Sequence, residues 1–308
     1  MNNVKTRFSI KDLENLSGIK AHTIRIWEKR YNLFEPNRTE TNIRYYSLAS
    51  LQKLLNITFL NKNGYKVSKI AELRSEEIPN LVREIARVND TDNHYVDLFK
   101  VAMLNFDQTL FYKTFREASE EQSLSEIFHN IFVPLLEQIG LLWQTDTITP
   151  AHEHFIFELI KQKILIYADK AIDESVQNEK SKTFVLFLPD NEIHELGLLF
   201  VNYELILKGY KSIYLGQSVP IDSLEYLTDH YDEIVFISSF TIKPEKEVIN
   251  NYLEDLADRV LKENDNLFLV SGRQTNHIDL DKLNNKISIF ESTKQVLDGL
   301  DNYLQQVG

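Results

Sequence analysis

The side chains best suited to chemistry in this 308-residue chain are Glu192, His194 and Gly197, spaced Glu-x-His-x-x-Gly. Imidazole is the commonest protein metal ligand, and a carboxylate nearby can take the proton of one ring nitrogen and fix which nitrogen faces a ligand. Ahead of this stretch lies an apolar run, residues 183–188, that reads as a buried strand; residues 198–208 after it read as a helix. A histidine at that place sits on the lip formed by strand carboxyl ends, where open α/β sheets bind ligands. The same local pattern also suits an ordinary surface loop, so the rest of the chain has to decide.

Composition narrows the field. There are no cysteines, which excludes disulfides, thiolate-ligated zinc and thiol catalysis. No apolar run approaches the length of a membrane span and the first residues lack an apolar signal region, so no membrane partner and a cytoplasmic location are expected. The net charge of −12 hides an asymmetry. Residues 1–74 carry fourteen Lys/Arg against six Asp/Glu, and the remainder twenty against forty. A basic head on an acidic body means that the head alone meets a polyanion.

Within the head, residues 8–16 have helical periodicity with Ser9 as N-cap, Ser17-Gly18 breaks it, and a second helix runs from Ala21 to Tyr31. That is a helix-turn-helix, whose second helix enters the major groove. Its outer face carries His22, Thr23, Arg25, Lys29 and Arg30, whereas Trp27 is expected in the core. Residues 33–46 read as a β-wing with Arg38 and Arg44 at phosphate height, and two helices follow at 48–61 and 67–73. The run His22-Thr23-Ile24-Arg25-Ile26-Trp27-Glu28-Lys29-Arg30-Tyr31, with Pro36-Asn37-Arg38-Thr39 and Arg44-Tyr45-Tyr46-Ser47, resembles the winged helix-turn-helix of MerR-type transcription regulators. The resemblance implies binding to a double-stranded DNA operator through His22, Thr23, Arg25, Lys29, Arg30, Tyr31, Arg38 and Arg44. The wing of the nearest subgroup has a Gly-Gly-His sequence where this chain has Thr41, Asn42 and Ile43.

Behind the head, residues 75–95 read as a helix and then a polar linker, with the linker taken as 79–94, and 95–178 as a four-helix bundle, with Pro134 expected to kink or split the third helix. His152 and His154 are no metal pair, because positions i and i+2 of a helix point about 200° apart. From residue 181 to 308, apolar runs at 183–188, 212–215, 233–238, 267–270 and 287–290 alternate with helical stretches at 195–208, 222–230, 245–262, 278–284 and 293–306. This implies a doubly wound parallel sheet in the order 2-1-3-4-5. Strands 1, 3 and 4 are then neighbours, and their ends bring together His194, Ser239 and Gly272. The first turn lacks Gly-x-Gly-x-x-Gly, which disfavours a dinucleotide. The expected fold class is multidomain α and α/β: winged helix-turn-helix at 1–78, helical bundle, and a five-stranded flavodoxin-like parallel sheet.

Residues 95–308 resemble the cobalamin-binding module, a helical cap ahead of a flavodoxin-like domain. The motif is Glu192-x-His194-x-x-Gly197, then 41 residues, then Ser239. The resemblance implies that His194 is the lower axial cobalt ligand and the metal-binding residue. It places Glu192 as the residue orienting that ligand, and Gly197, Ser239 and Gly272 along the nucleotide tail. Trp143, nine residues, then Glu153-His154 match the spacing that covers the upper face in light-sensing MerR-type repressors. Four positions depart from the pattern: Glu192 stands for Asp, Thr241 for Leu, Ser271 for Gly, and Gln144 for a histidine. The expectation is a regulator and not an enzyme, one that represses transcription under control of adenosylcobalamin and light as a dimer or tetramer. The alternatives are a cofactor-free regulator of the same fold controlled by a protein antirepressor, and a corrinoid enzyme subunit such as that of a methyltransferase or mutase.

Overall fold

In a computed structural model, residues 7–39, 41–74, 77–86, 91–144, 147–174, 182–231, 233–261 and 265–307 are described. The chain forms two compact units, Met1–Leu159 and Ile160–Gly308. Among the described residues no helix is long and apolar enough to cross a membrane.

In the first unit, α1 (Ile10–Ser17) starts at Ser9, whose hydroxyl accepts from the Asp12 amide while the Asp12 carboxylate accepts from the Ser9 amide. This reciprocal pair satisfies backbone donors that the first turn leaves open. Phe8, expected inside the helix, instead pairs its backbone with Tyr46 at the end of the wing. Gly18, at φ 73°, turns the chain into α2 (Ala21–Tyr31), and Glu14 accepts the Ala21 amide at 3.1 Å to close that turn. The wing consists of β1 (Asn37–Arg38) and β2 (Arg44–Tyr45), paired antiparallel. Asn42 takes a left-handed φ of 65° at its tip, a conformation that asparagine tolerates almost as glycine does. Next come α3 (Leu48–Lys62) and α4 (Val67–Ile70), the latter a single turn rather than the longer helix expected to residue 73.

The expected linker at 79–94 is corrected: most of α5 (Glu77–Ala86) and the start of α6 (Thr91–Asn105) occupy it, with 87–90 outside the described residues. Ile78, Val82 and Ile85 recur at helical spacing and are buried, and Glu77 holds the Arg74 amide and guanidinium at the start. An apolar stripe thus overrides the polar composition. The bundle continues with α7 (Gln108–Ser119), α8 (Leu124–Ile127), a π turn over Phe128–Phe132, and α9 (Val133–Gln144). Pro134, expected to kink or split this helix, lies in the first turn of α9 just after the π turn, so the helix changes pitch there without a break. A wider turn there tolerates the missing amide and the ring of the proline.

The second unit takes up the long helix α10 (Pro150–Glu174) from Ile160 onward. The sheet strands are β3 (Thr183–Phe187), β4 (Ser212–Gly216), β5 (Ile234–Ser239), β6 (Leu267–Ser271) and β7 (Ile287–Phe290), all parallel in the order β4-β3-β5-β6-β7. This is the expected 2-1-3-4-5 arrangement. The helices are α11 (Leu196–Leu207), α12 (Ile221–Thr228), α13 (Ile249–Leu256) and α14 (Thr293–Val307). Every residue of β3 is buried, as parallel strands covered on both faces require. Phe187 packs edge-on to Phe236 and stacks on Phe268 in the core beneath the lip. One expected helix, 278–284, is absent: the segment holds only a short 3-10 turn, Leu280–Lys282, and another, Arg273–His277, precedes it. Asp279 accepts the Asp281 amide there and Leu280 is exposed, so the segment has no continuous apolar face to bury.

Candidate functional site

The outer face of α2 presents His22, Arg25, Lys29 and Arg30 to solvent, with Thr23 and Tyr31 half-buried and Trp27 in the core. The His22 ring lies 3.3 Å from the Thr23 hydroxyl, and the Arg30 guanidinium lies 5.5 Å from the Tyr31 ring centre. Arg38 and Arg44 are exposed on the wing, where Arg38 donates to the Asn42 side chain at 2.7 Å. Sequence reasoning missed how wing and helix are joined. Glu28, on α2, accepts from the buried Tyr46 hydroxyl at 2.8 Å and lies 3.7 Å from Arg44. Burial first, and then the Glu28 carboxylate, push the Tyr46 pKa up, which keeps that hydroxyl a donor. Arg7 lies over the Tyr45 ring at 4.9 Å and adds a further cation to this face. The arrangement offers guanidinium groups from a helix and a wing to one polyanion.

The second constellation lies at the carboxyl ends of β3, β5 and β6. Glu192 is fully buried in the loop after β3. Its Oε1 accepts from the Ile193 amide at 2.9 Å, the His194 amide at 3.0 Å and His194 Nδ1 at 2.5 Å. Its Oε2 accepts from the amides of Thr241, Ile242 and Lys243 at 3.1, 2.7 and 2.9 Å. One carboxylate therefore orients the imidazole and also closes the loop after β5. Burial opposes its ionisation, yet the His194 ring and the amides of Ile242, Lys243 and His194 outweigh that and hold its pKa down at about 2. An ionised Glu192 holds the proton on Nδ1 and leaves Nε2 as the ring nitrogen that faces away from the carboxylate. The longer arm of glutamate reaches fully, and uses its length to span two loops.

Ser239 ends β5 half-buried opposite Ser271, while Ser238 is buried and donates to the Phe187 carbonyl at 2.8 Å. Gly272 has φ 111°, and a Cβ there would come within 2.4 Å of the Phe240 carbonyl oxygen. Its lack of a side chain allows the loops after β5 and β6 to touch, tied by the Phe240 amide to the Ser271 carbonyl at 2.7 Å. Gly197 opens α11, where an added Cβ would lie 3.1 Å from the Thr293 hydroxyl at the start of α14. The structure thus brings Glu192, His194 and the loops of Ser239 and Gly272 together on one lip.

In the first unit, Trp143 and Gln144 end α9, their side chains outside the described residues. Near the start of α10, Glu153 is half-buried and His154 exposed, while His152 is buried and stacked on Phe106 at 4.6 Å. His152 and His154 therefore diverge, as their spacing requires.

Among the described residues no group of three or more His, Cys, Asp and Glu could hold a metal ion. A single oriented imidazole suits a metal whose equatorial positions are already filled by a macrocycle. Ile193, next to His194 in sequence, and Ile242, whose amide Glu192 holds, are 56% and 52% exposed. The donor set and its surroundings fit a corrinoid.

Comparison with known proteins agrees. The family described as MerR HTH family regulatory protein matches residues 8–77, and the B12 binding domain matches residues 95–167. The chain joins a MerR-type helix-turn-helix to a B12-binding domain. It is 25% identical over 223 residues to the HTH-type transcriptional repressor CarH of Myxococcus xanthus, covering 70% of this chain and 73% of that protein. To the HTH-type transcriptional repressor CarA of the same organism it is 25% identical over 249 residues, 80% of this chain and 81% of the relative. The monomethylamine corrinoid protein of Methanosarcina barkeri superposes with a TM-score of 0.51 at 12% identity, over 68% of this chain and 98% of that one, which shows a shared fold. The B12-binding match ends at residue 167, so the sheet lip with Glu192 and His194 lies outside it.

Proposed function

We propose that this chain is a transcription repressor whose MerR-type head binds operator DNA under control of adenosylcobalamin held at His194. The observation that carries the reading is the buried Glu192 carboxylate at 2.5 Å from His194 Nδ1, which prepares Nε2 for a metal. Glu192 orients the ligand, Gly197, Ser239 and Gly272 border the nucleotide tail, and Trp143, Glu153 and His154 cover the upper face, the last by the resemblance of their spacing. When bound, the cofactor supplies a light-labile cobalt–carbon bond; the protein supplies axial ligation, packing and a DNA-binding surface. The MerR-type head and the two repressor relatives support a regulator over a corrinoid enzyme subunit.

Purification in the dark with adenosylcobalamin, followed by an absorption spectrum and sizing before and after green light, tests the proposal. A red protein whose dimer or tetramer dissociates on illumination is expected. A colourless protein that still binds DNA would favour instead a cofactor-free regulator of the same fold.

The head carries a second expectation. His22, Thr23, Arg25, Lys29, Arg30 and Tyr31 on α2, with Arg38 and Arg44 on the wing, contact DNA, and a two-fold operator is read by a dimer. Arg25→Ala and Arg30→Ala are each expected to cost about 1–3 kcal/mol of operator binding. Equal affinity of the wild type and the double variant in a gel-shift titration at fixed salt sinks this assignment.

A further inference from the structure

Glu195 follows His194 directly and ties the ligand loop down on the side away from Glu192. Its buried carboxylate accepts from Lys161 Nζ at 2.5 Å and Gln217 Nε2 at 2.7 Å on one oxygen, and from the Tyr214 hydroxyl at 2.8 Å on the other. The donors come from three places: Lys161 from α10, Tyr214 from β4, and Gln217 from the loop after β4. Burial and then the Glu195 carboxylate push the Tyr214 pKa up, so the phenol remains a donor. Across the sheet order β4-β3-β5, Glu195 reaches the β4 side and Glu192 the β5 side, with His194 between them.

Of the three donors, Lys161 brings the positive charge, while Tyr214 and Gln217 are neutral. Without Lys161 the carboxylate keeps neutral partners and loses its countercharge in a largely dry place, where an ion held only by dipoles draws toward water. The peptide unit that Glu195 shares with His194 would move with it.

We propose that Lys161 is a positioning residue for His194: through Glu195 it sets the height of the ligand loop on the sheet, and so couples α10 to occupancy of the site. The proposal rests on the reading of His194 as the cobalt ligand. It assigns to a surface-looking lysine a part in binding that no motif residue fills.

The experiment uses the full chain as wild type, Lys161→Met, Lys161→Arg and His194→Ala, with Lys161→Gln as a second neutral variant should the methionine protein fold poorly. The first readout needs no cofactor: hydrogen–deuterium exchange of amides in segments 189–196 and 241–243. Loss of the lysine charge is expected to speed exchange in 189–196 by about tenfold or more, leaving 241–243, held by Glu192, unchanged. The second readout is aquacobalamin affinity, expected to fall by about tenfold in the neutral variants and to return with Lys161→Arg. Wild-type exchange and affinity in the neutral variants would overturn the proposal, as would failure of the arginine to restore either. Equal aquacobalamin binding by wild type and His194→Ala overturns the ligand reading instead, and the exchange readout then still decides whether Lys161 holds the loop.

Discussion

Replacing His194 with alanine is expected to abolish corrinoid binding at micromolar concentration while leaving the domain folded. The ring is 27% exposed at the lip and contributes little to the core formed by Phe187, Phe236 and Phe268 beneath it. After its removal Glu192 still accepts the Ile193 and residue-194 amides on one oxygen and three amides on the other. The stability cost is therefore that of one hydrogen bond to a charged group, about 1.5–3 kcal/mol. The binding cost is larger, because the substitution removes the axial ligand itself while the hydrogen bonds that shape the loop remain. A spectrum of the variant reconstituted in the dark, beside a thermal melt, separates the two effects. Wild-type absorbance in the variant, or a melt showing global unfolding, would contradict the assignment.

Much of this site was legible in the sequence because its parts are local. Strand, His-bearing turn and helix follow one another within 25 residues, from Thr183 to Leu207, and apolar periodicity finds all three. The strand order follows from alternation of strands and helices and the handedness of their crossovers, which places the loops of His194, Ser239 and Gly272 side by side. What the sequence did not disclose is long-range pairing. Glu192 binds amides about 50 positions away, and Glu195 meets Lys161 34 positions before it. Neither partner carries a compositional mark, since any residue but proline supplies an amide and lysines abound on surfaces. The linker was misread for the opposite reason. Its polar residues dominate the composition of 79–94, yet Val82 and Ile85 with Ile78 are enough to bury one side of a helix.

Glu192→Gln is expected to damage both stability and binding, where His194→Ala damages chiefly binding. An amide can present only one oxygen. Whichever way it turns, its NH2 faces either the His194 ring and the amides of Ile193 and His194, or the amides of Thr241, Ile242 and Lys243. Each buried donor left without an acceptor costs about 1–3 kcal/mol, so a loss of about 3 kcal/mol or more is expected, with corrinoid affinity down roughly 10–100-fold. Glu192→Asp separates the two tasks: the shorter arm can keep the imidazole or the β5 loop in range, and not both. Acid gives an independent check. The Glu192 pKa is held at about 2, below its ordinary value of 4.5, so the unfolded chain takes up the proton first as pH falls. Its contribution, about 3 kcal/mol, is fully present above roughly pH 4.5 and is lost as pH falls toward 2. Denaturant unfolding of the cofactor-free protein between pH 6 and 3 should therefore show a steeper loss of stability in the wild type than in Glu192→Gln, which has no proton to take up there. Parallel pH profiles for the two proteins would mean that the carboxylate is not held ionised in the fold, and that Nδ1 of His194 is not pinned by its charge.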